Sequence, residues 1–230
     1  MASARVYPTT IAAAVEHELV IKKSRFIARA VPVAAGGSQP VAESVAEAET
    51  AIATIRKHAW DAAHNCTAMI TGLLGDQARS SDDGEPSGTA GVPMLEVLRQ
   101  RGLTDLVVVV TRYFGGTKLG AGGLVRAYSS AVSEALDRAA LVRREELTQV
   151  RVEVDHSEAG RFDNVLRDWA GRHGATLGEP HYGALASLEL WVPPTQLALL
   201  GADLAAASAG GLVPILGSTR IVDVLDEPRG

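Results

Sequence analysis

"TRYFGGTKLGAGGLVRAY", residues 111–128, joins an unbroken apolar run to an amphipathic pattern. Upstream, "LVVVV" at 106–110 has no polar alternation and reads as a strand buried on both faces. Downstream, Leu124, Tyr128, Ala131, Val132, Ala135 and Leu136 recur at helical spacing. The join is a strand, a glycine-rich turn and a helix start. Gly115, Gly116, Gly120, Gly122 and Gly123 shape the turn, and Arg112, Lys118 and Arg126 add positive charge. A helix start presents N–H groups with no partner in the helix, and glycine lets an anion approach them. No acidic residue occurs from Leu106 to Ser133. The stretch suits phosphate, of a nucleotide or of a nucleic-acid backbone. It is not a Walker loop, since no Gly-Lys-Ser/Thr follows at the required spacing, and "GAGGLV" lacks the third glycine of a dinucleotide fingerprint. The alternative is a tight structural loop whose glycines accept positive φ.

Working outward, residues 11–20 and 23–33 read as a hairpin turning at "KKS" and ended by "AAGG". Val41, Val45, Ala48, Ile52, Ile55 and Ala59 mark one face of a helix. Residues 63–74 alternate as a half-buried strand. "SSDDGEPSGTAG", residues 80–91, reads as a loop, and a short helix with Met94, Leu95 and Leu98 follows, ended by Gly102. A new pattern starts near Leu147 with the strand "TQVRVEVD". Ala159, Phe162, Leu166, Trp169 and Ala170 form a helix stopped by Gly171 and Gly174. Strands at 175–182 and 185–192, a helix opened by "PPT" at 193–195, and a strand near 215–224 complete a β-α-β-β-α-β order.

The chain has 230 residues, enough for one large domain or two small ones. Residues 1–144 hold 16 Lys+Arg and 14 Asp+Glu, whereas residues 145–230 hold 6 Arg and 13 Asp+Glu. That asymmetry, net +2 against net −7, places a boundary near "RREE" at 143–146. A net charge of −5 argues against a general nucleic-acid coat. One cysteine, Cys66, excludes an intramolecular disulfide and fits a reducing compartment. No apolar stretch approaches the roughly 20 residues that span a bilayer. "MASARVYPTT" lacks the order of a secretion signal, so the protein reads as cytoplasmic, with no membrane partner.

Asp82, Asp83 and Glu85 lie around Gly84 and suit either Mg²⁺ or ion pairs with Arg112 or Lys118. Calcium-loop spacing is lacking, and the ion-paired or solvated loop is the preferred reading. His64 and Cys66 share a strand face, a parallel arrangement ill suited to proton transfer, and zinc would need two more ligands. Tyr113 and Phe114 follow Arg112, where an aromatic face beside cations suits single-stranded nucleic acid. Strand alternation leaves at most one of them free.

"KKSRFIA" at 22–28, "AHNC" at 63–66, "SDDGEPSGTAGVPMLEVL" at 81–98 and "VVVTRYFGGTKLGAGGLVRAY" at 108–128 resemble the IMPACT/YigZ family. The resemblance implies an α+β protein of two domains. Residues 1–144 would be like domain two of ribosomal protein S five, a mixed sheet with helices on one side. Residues 145–230 would form a ferredoxin-like βαββαβ sandwich similar to the last domain of elongation factor G. The expected role is non-catalytic and translation-associated, with RNA or the ribosome as partner and translation-related proteins as further partners. Arg112, Lys118 and Arg126 would contact phosphate, and Asp83 and Glu85 would hold the loop from beside it. No metal or cofactor is called for. Two other readings stay open: a Mg-dependent nucleotide-binding or phosphotransfer enzyme using the same loop, and a protein-interaction module.

Overall fold

A computed structural model describes residues 7–33 and 41–225, so the "AAGG" end of the second expected strand lies outside the described residues. Two compact units divide the chain. Among the described residues, one comprises Tyr7–Arg144 with Asp223 onward, and the other Glu145–Val222.

In the first unit the central strand grows from the apolar run 106–110. The elements in chain order are β1 (Thr10–Ile11), β2 (Val15–Ile21), β3 (Ser24–Pro32), α1 (Val41–His58), β4 (His64–Thr71), β5 (Gln77–Ser81), α2 (Gly91–Gln100), β6 (Leu106–Tyr113) and α3 (Ala121–Leu136). The sheet order is β2-β3-β6-β4-β5, so β6 has a neighbour on each side. Leu106 through Val110 are fully buried, as a run without polar alternation requires. Val108 and Val110, with Phe26, Ala28, Cys66 and Ala68, face α2 and α3. Val107 and Val109, with Met69, face α1 through Ala48, Ile52 and Ile55. The helical stripe from Val45 to Ile55 is therefore the cover of that second face; the side chain of Val41 lies outside the described residues.

Two expectations are corrected. Helices lie on both faces of this sheet, because β6 is apolar on both. Its strand pairs are all antiparallel rather than mixed. Other differences are local. The segment expected as one strand from 11 to 20 is broken after Ile11, and β1 pairs with Leu141 and Val142 instead. Residues 77–81, partly placed in a loop from composition, form β5, an edge strand exposed at every position. An edge strand with no buried face carries no apolar alternation to detect.

The second unit takes most of β7 (Leu141–Val154), then α4 (Ala159–His173), β8 (Thr176–Leu177), β9 (His181–Tyr182), β10 (Ala186–Val192), a 3₁₀ turn at Pro194–Gln196, α5 (Leu197–Ala207) and β11 (Ile215–Leu225). β7 pairs with β11 and antiparallel with β10; β8 and β9 both pair with β10. Val150, Val152, Val154, Leu188 and Leu190 pack against Phe162, Leu166, Trp169, Leu200 and Leu204 of the two helices. The strand expected at 175–182 is two short pieces, because Pro180 between them has no N–H to give the ladder. α4 runs through Gly171 and stops at Gly174, whose φ of 68° is the left-handed helix end. Among the described residues no helix is long and apolar enough to cross a membrane.

Arg144 closes the first unit. Its side chain has no exposure, and Nη1 lies 2.7 Å from Oδ2 of Asp105, itself 4% exposed, with Nε 3.3 Å from Asp223. Asp105 also accepts the Gly72 N–H at 2.6 Å. Removing one partner of a buried ion pair leaves the other charge without compensation. Arg144→Met should lower the unfolding free energy by about 3 kcal/mol or more, measured by chemical denaturation.

Candidate functional site: the glycine-rich junction after the central strand

β6 ends at Tyr113 and α3 begins at Ala121, with Gly120 as N-cap at φ 75° and ψ 166°. A side chain at that φ would be strained, so glycine fits the cap, but it brings no oxygen to the helix start. No side chain caps α3. The first-turn amides thus keep the donors that a Ser or Asp cap would have occupied. Gly116, at φ 83°, and Gly120 and Gly122 face open space. Gly115 is different. A Cβ there would lie 2.0 Å from the carbonyl carbon of Lys23, and its N–H donates to Ser24 Oγ at 3.1 Å. This glycine lets the loop press against the β2–β3 turn. That turn is two residues long, Lys22 and Lys23, with φ of 46° and 68°. Both values are left-handed, the geometry of a type I′ hairpin turn, which normally selects Asn or Gly.

The sequence-predicted residues divide into two layers. Lys118 and Arg126 are exposed, and among the described residues neither has an ion pair; the Arg126 Nε donates to Gly122 O at 3.3 Å. Lys22 and Lys23 are also exposed and have no acidic partner among the described residues. Elsewhere in this unit the exposed Arg25, Arg56, Arg79, Arg99 and Arg101 are paired with carboxylates, whereas Lys57 and Arg138 are exposed without an ion pair among the described residues. Arg112 lies below this cationic surface. Its side chain is 7% exposed, and Nη1 donates to Glu85 Oε1 at 2.5 Å. The guanidinium sits between two rings, 5.3 Å from the centroid of Phe26 and 5.6 Å from that of Phe114. Its Nε is buried with no hydrogen-bond partner.

Glu85 is the centre of the lower layer. Oε1 also accepts the Tyr128 hydroxyl at 2.7 Å, and Oε2 lies 3.9 Å from His64 Nε2. Glu85 thus ties the end of β6 to the second turn of α3, on either side of the glycine loop. Asp83 does a different job from the one expected beside that loop. Its Oδ2 accepts the Asn65 N–H at 2.6 Å, and Oδ1 accepts Arg56 Nη2 at 3.2 Å, which holds the 82–85 turn onto β4 and α1. Asp82 accepts the amides of Gly88, Ala90 and Gly91 at 2.8, 3.0 and 2.8 Å. Those amides open α2, which has no cap of its own beside it. Burial raises the Asp82 pKa, but the three amide hydrogen bonds outweigh it and hold the carboxyl below the usual range. With all three carboxylates so engaged, the loop is an ion-paired structure. Among the described residues no group of three His, Cys, Asp or Glu side chains is placed to hold a metal ion.

His64 Nδ1–H donates to the Asp83 carbonyl at 2.8 Å. Cys66 has no exposure, and its Sγ has two acceptors in reach, Asp82 O at 3.0 Å and the Tyr128 hydroxyl at 3.3 Å. Burial pushes the thiol up to about 12, and burial likewise raises the Tyr128 phenol well above its ordinary value. A thiol in that state is a packing group, not a nucleophile. Sequence reasoning missed three parts of the site: the Lys22–Lys23 turn, Ser24 beneath it and Tyr128 as the partner of Glu85. "KKS" was a legible turn signal, but its position beside Gly115 depends on strand pairing across 90 residues.

Fold and junction together define a two-unit α+β protein with a glycine-rich loop beside exposed cations that have no ion pair among the described residues. Residues 22–136 match the model of the Impact N-terminal domain. The chain belongs to the IMPACT family. It is 44% identical over 183 residues to IMPACT family member YvyE of Bacillus subtilis (strain 168), covering 80% of this chain and 78% of that one. It is 34% identical over 194 residues to IMPACT family member YigZ of Escherichia coli (strain K12), covering 84% and 89%. A crystal structure of "an hypothetical protein" superposes with a TM-score of 0.56 at 31% identity, covering 97% of this chain and all of that one.

Gly115→Ala should cost about 3 kcal/mol in unfolding free energy, since the new methyl meets backbone. Gly116→Ala, in open space but at positive φ, should cost about 1 kcal/mol. Denaturant titration separates the two. Asp82→Ala should remove about 1 kcal/mol of helix-start stabilisation at neutral pH. Because folding lowers the Asp82 pKa, its contribution is present above the unfolded value near 3.9 and is lost as pH falls through the folded one. The gap between wild type and Asp82→Ala should therefore close in acid.

Proposed function

We propose that this protein binds RNA through the junction of β6 and α3, as a non-catalytic component associated with translation. The observation that carries the reading is four exposed cations without acidic partners among the described residues: Lys118 and Arg126 around the uncapped start of α3, and Lys22 and Lys23 in the turn that meets Gly115 of the preceding loop. Phosphates are the anions that such a surface suits, through both charge and free amides. The buried layer of Arg112, Glu85 and Tyr128 keeps the surface rigid without adding to it.

The element order of the second unit, β7-α4-β8-β9-β10-α5-β11, supports reading it as a ferredoxin-like domain similar to the last domain of elongation factor G, and so a place near the ribosome. In this reading the acidic second unit stays off phosphate and faces basic protein surfaces. A phosphotransfer reading is less favoured, because Asp83 and Glu85, its expected magnesium carboxylates, are already bonded within the protein.

Fluorescence anisotropy with a labelled RNA oligonucleotide, titrated between about 50 and 200 mM salt, tests the reading. With four phosphate contacts on a flexible strand, log affinity should fall against log salt with a slope of about −3. Lys118→Ala with Arg126→Ala should flatten that slope by about 1.4. Absence of binding at the lowest salt would end the proposal.

A further inference from the structure

The same surface has an apolar element that phosphate binding leaves unused. Phe114 is 53% exposed although it lies two residues past a strand segment buried from Leu106 to Arg112. Its ring is not loose. The Arg112 guanidinium lies 5.6 Å from its centroid and is itself fixed by Glu85 and by the Phe26 ring behind it. One side of Phe114 therefore rests on a buried cation, and the exposed remainder faces solvent. The neighbouring Tyr113 is occupied: its hydroxyl donates to Asp61 at 3.1 Å, and Arg25 lies 5.4 Å from its ring.

Cations flank the exposed ring along the chain and across it. Gly115, the next residue, is pressed against Lys23, so the Lys22–Lys23 turn is held beside Phe114. On the other side the loop leads to Lys118 and the start of α3. Lys22 and Lys23 hold left-handed backbone, a conformation with a steric cost in non-glycine residues. The result is an exposed aromatic ring with the Lys22–Lys23 turn against the next residue, Gly115, and Lys118 four positions past Phe114 along the loop.

We propose that the ligand of this junction is unpaired RNA, with one base stacked on Phe114 and the adjoining phosphates at the Lys22–Lys23 turn and at the start of α3. This deepens the RNA-binding reading and rests on it. A base within a duplex has its faces covered by its neighbours and cannot lie on the ring. Stacking on an aromatic side chain is sequence-tolerant and is worth about 1–3 kcal/mol per base. Salt-dependent phosphate binding alone would not discriminate single strands from duplex in this way.

The test measures the affinity of the full chain for a single-stranded RNA and for a duplex of the same length at one low salt concentration. Wild type should prefer the single strand by about tenfold. Phe114→Leu should remove most of that preference, weakening single-strand binding about 5-fold or more while leaving duplex binding unchanged; Phe114→Trp should restore it. Thermal melting checks that both variants fold, as the exposure of the side chain leads one to expect. Equal affinity for the two RNAs, or an unchanged single-strand affinity in Phe114→Leu, would overturn this inference and leave RNA binding intact. Failure to bind either RNA would remove both.

Discussion

A carboxyl group with 3% of its side chain exposed has lost its water partners, and Glu85 has two protein donors in their place, both on one oxygen. Arg112 reaches it from the end of β6, and the Tyr128 hydroxyl reaches it from α3. Those two residues flank the glycine loop in sequence, so the bond pattern fixes the loop's two anchor points to a third element, the 82–90 segment. The arrangement is costly to break, because any one deletion leaves a buried charge or polar group unpaired. Arg112 is spent in this support. The positive character of the surface above falls instead to side chains with nothing to neutralise them.

The rest of the first unit is organised around the same strand. β6 is buried on both faces, which requires cover on both, and α1 on one side and α2 with α3 on the other supply it. That two-sided cover leaves only the end of the strand open to solvent. The chain uses that end for its glycine loop. Asp82 and Asp83 consolidate the neighbouring turn through backbone amides, Arg56 and Asn65. Polar groups here have mainly structural partners, while the lysines do not. Charge is thus separated at the junction, buried and paired below, exposed and unpaired above.

Much of the fold was legible because periodicity reports burial. The run at 106–110 and the stripes of α1 and α3 each stated which face would be covered, whereas β4, expected to be half-buried, is buried on both faces from Asn65 to Thr71, with Met69 covered by α1. Elements without a buried face left no such trace. β5 is exposed throughout and was partly read as loop, and β1 was read as part of the next strand. Composition likewise identified the carboxylates of "DDGE" but not their partners, since Asp82, Asp83 and Glu85 face three different directions within four residues.

The amino-acid sequence on its own determined the elements, the family resemblance, and the cationic, acid-free character of the stretch after the central strand. Those are local properties, written in residue order. Only the tertiary structure decided which cations are free. Arg112 and Lys118 are six residues apart and equally charged, yet one is buried against Glu85 and the other is in solvent. Lys22 and Lys23, distant in the chain, come beside Gly115 because β3 pairs with β6. Ion pairing and desolvation depend on distances between segments far apart in sequence, and a one-dimensional pattern holds no record of those distances.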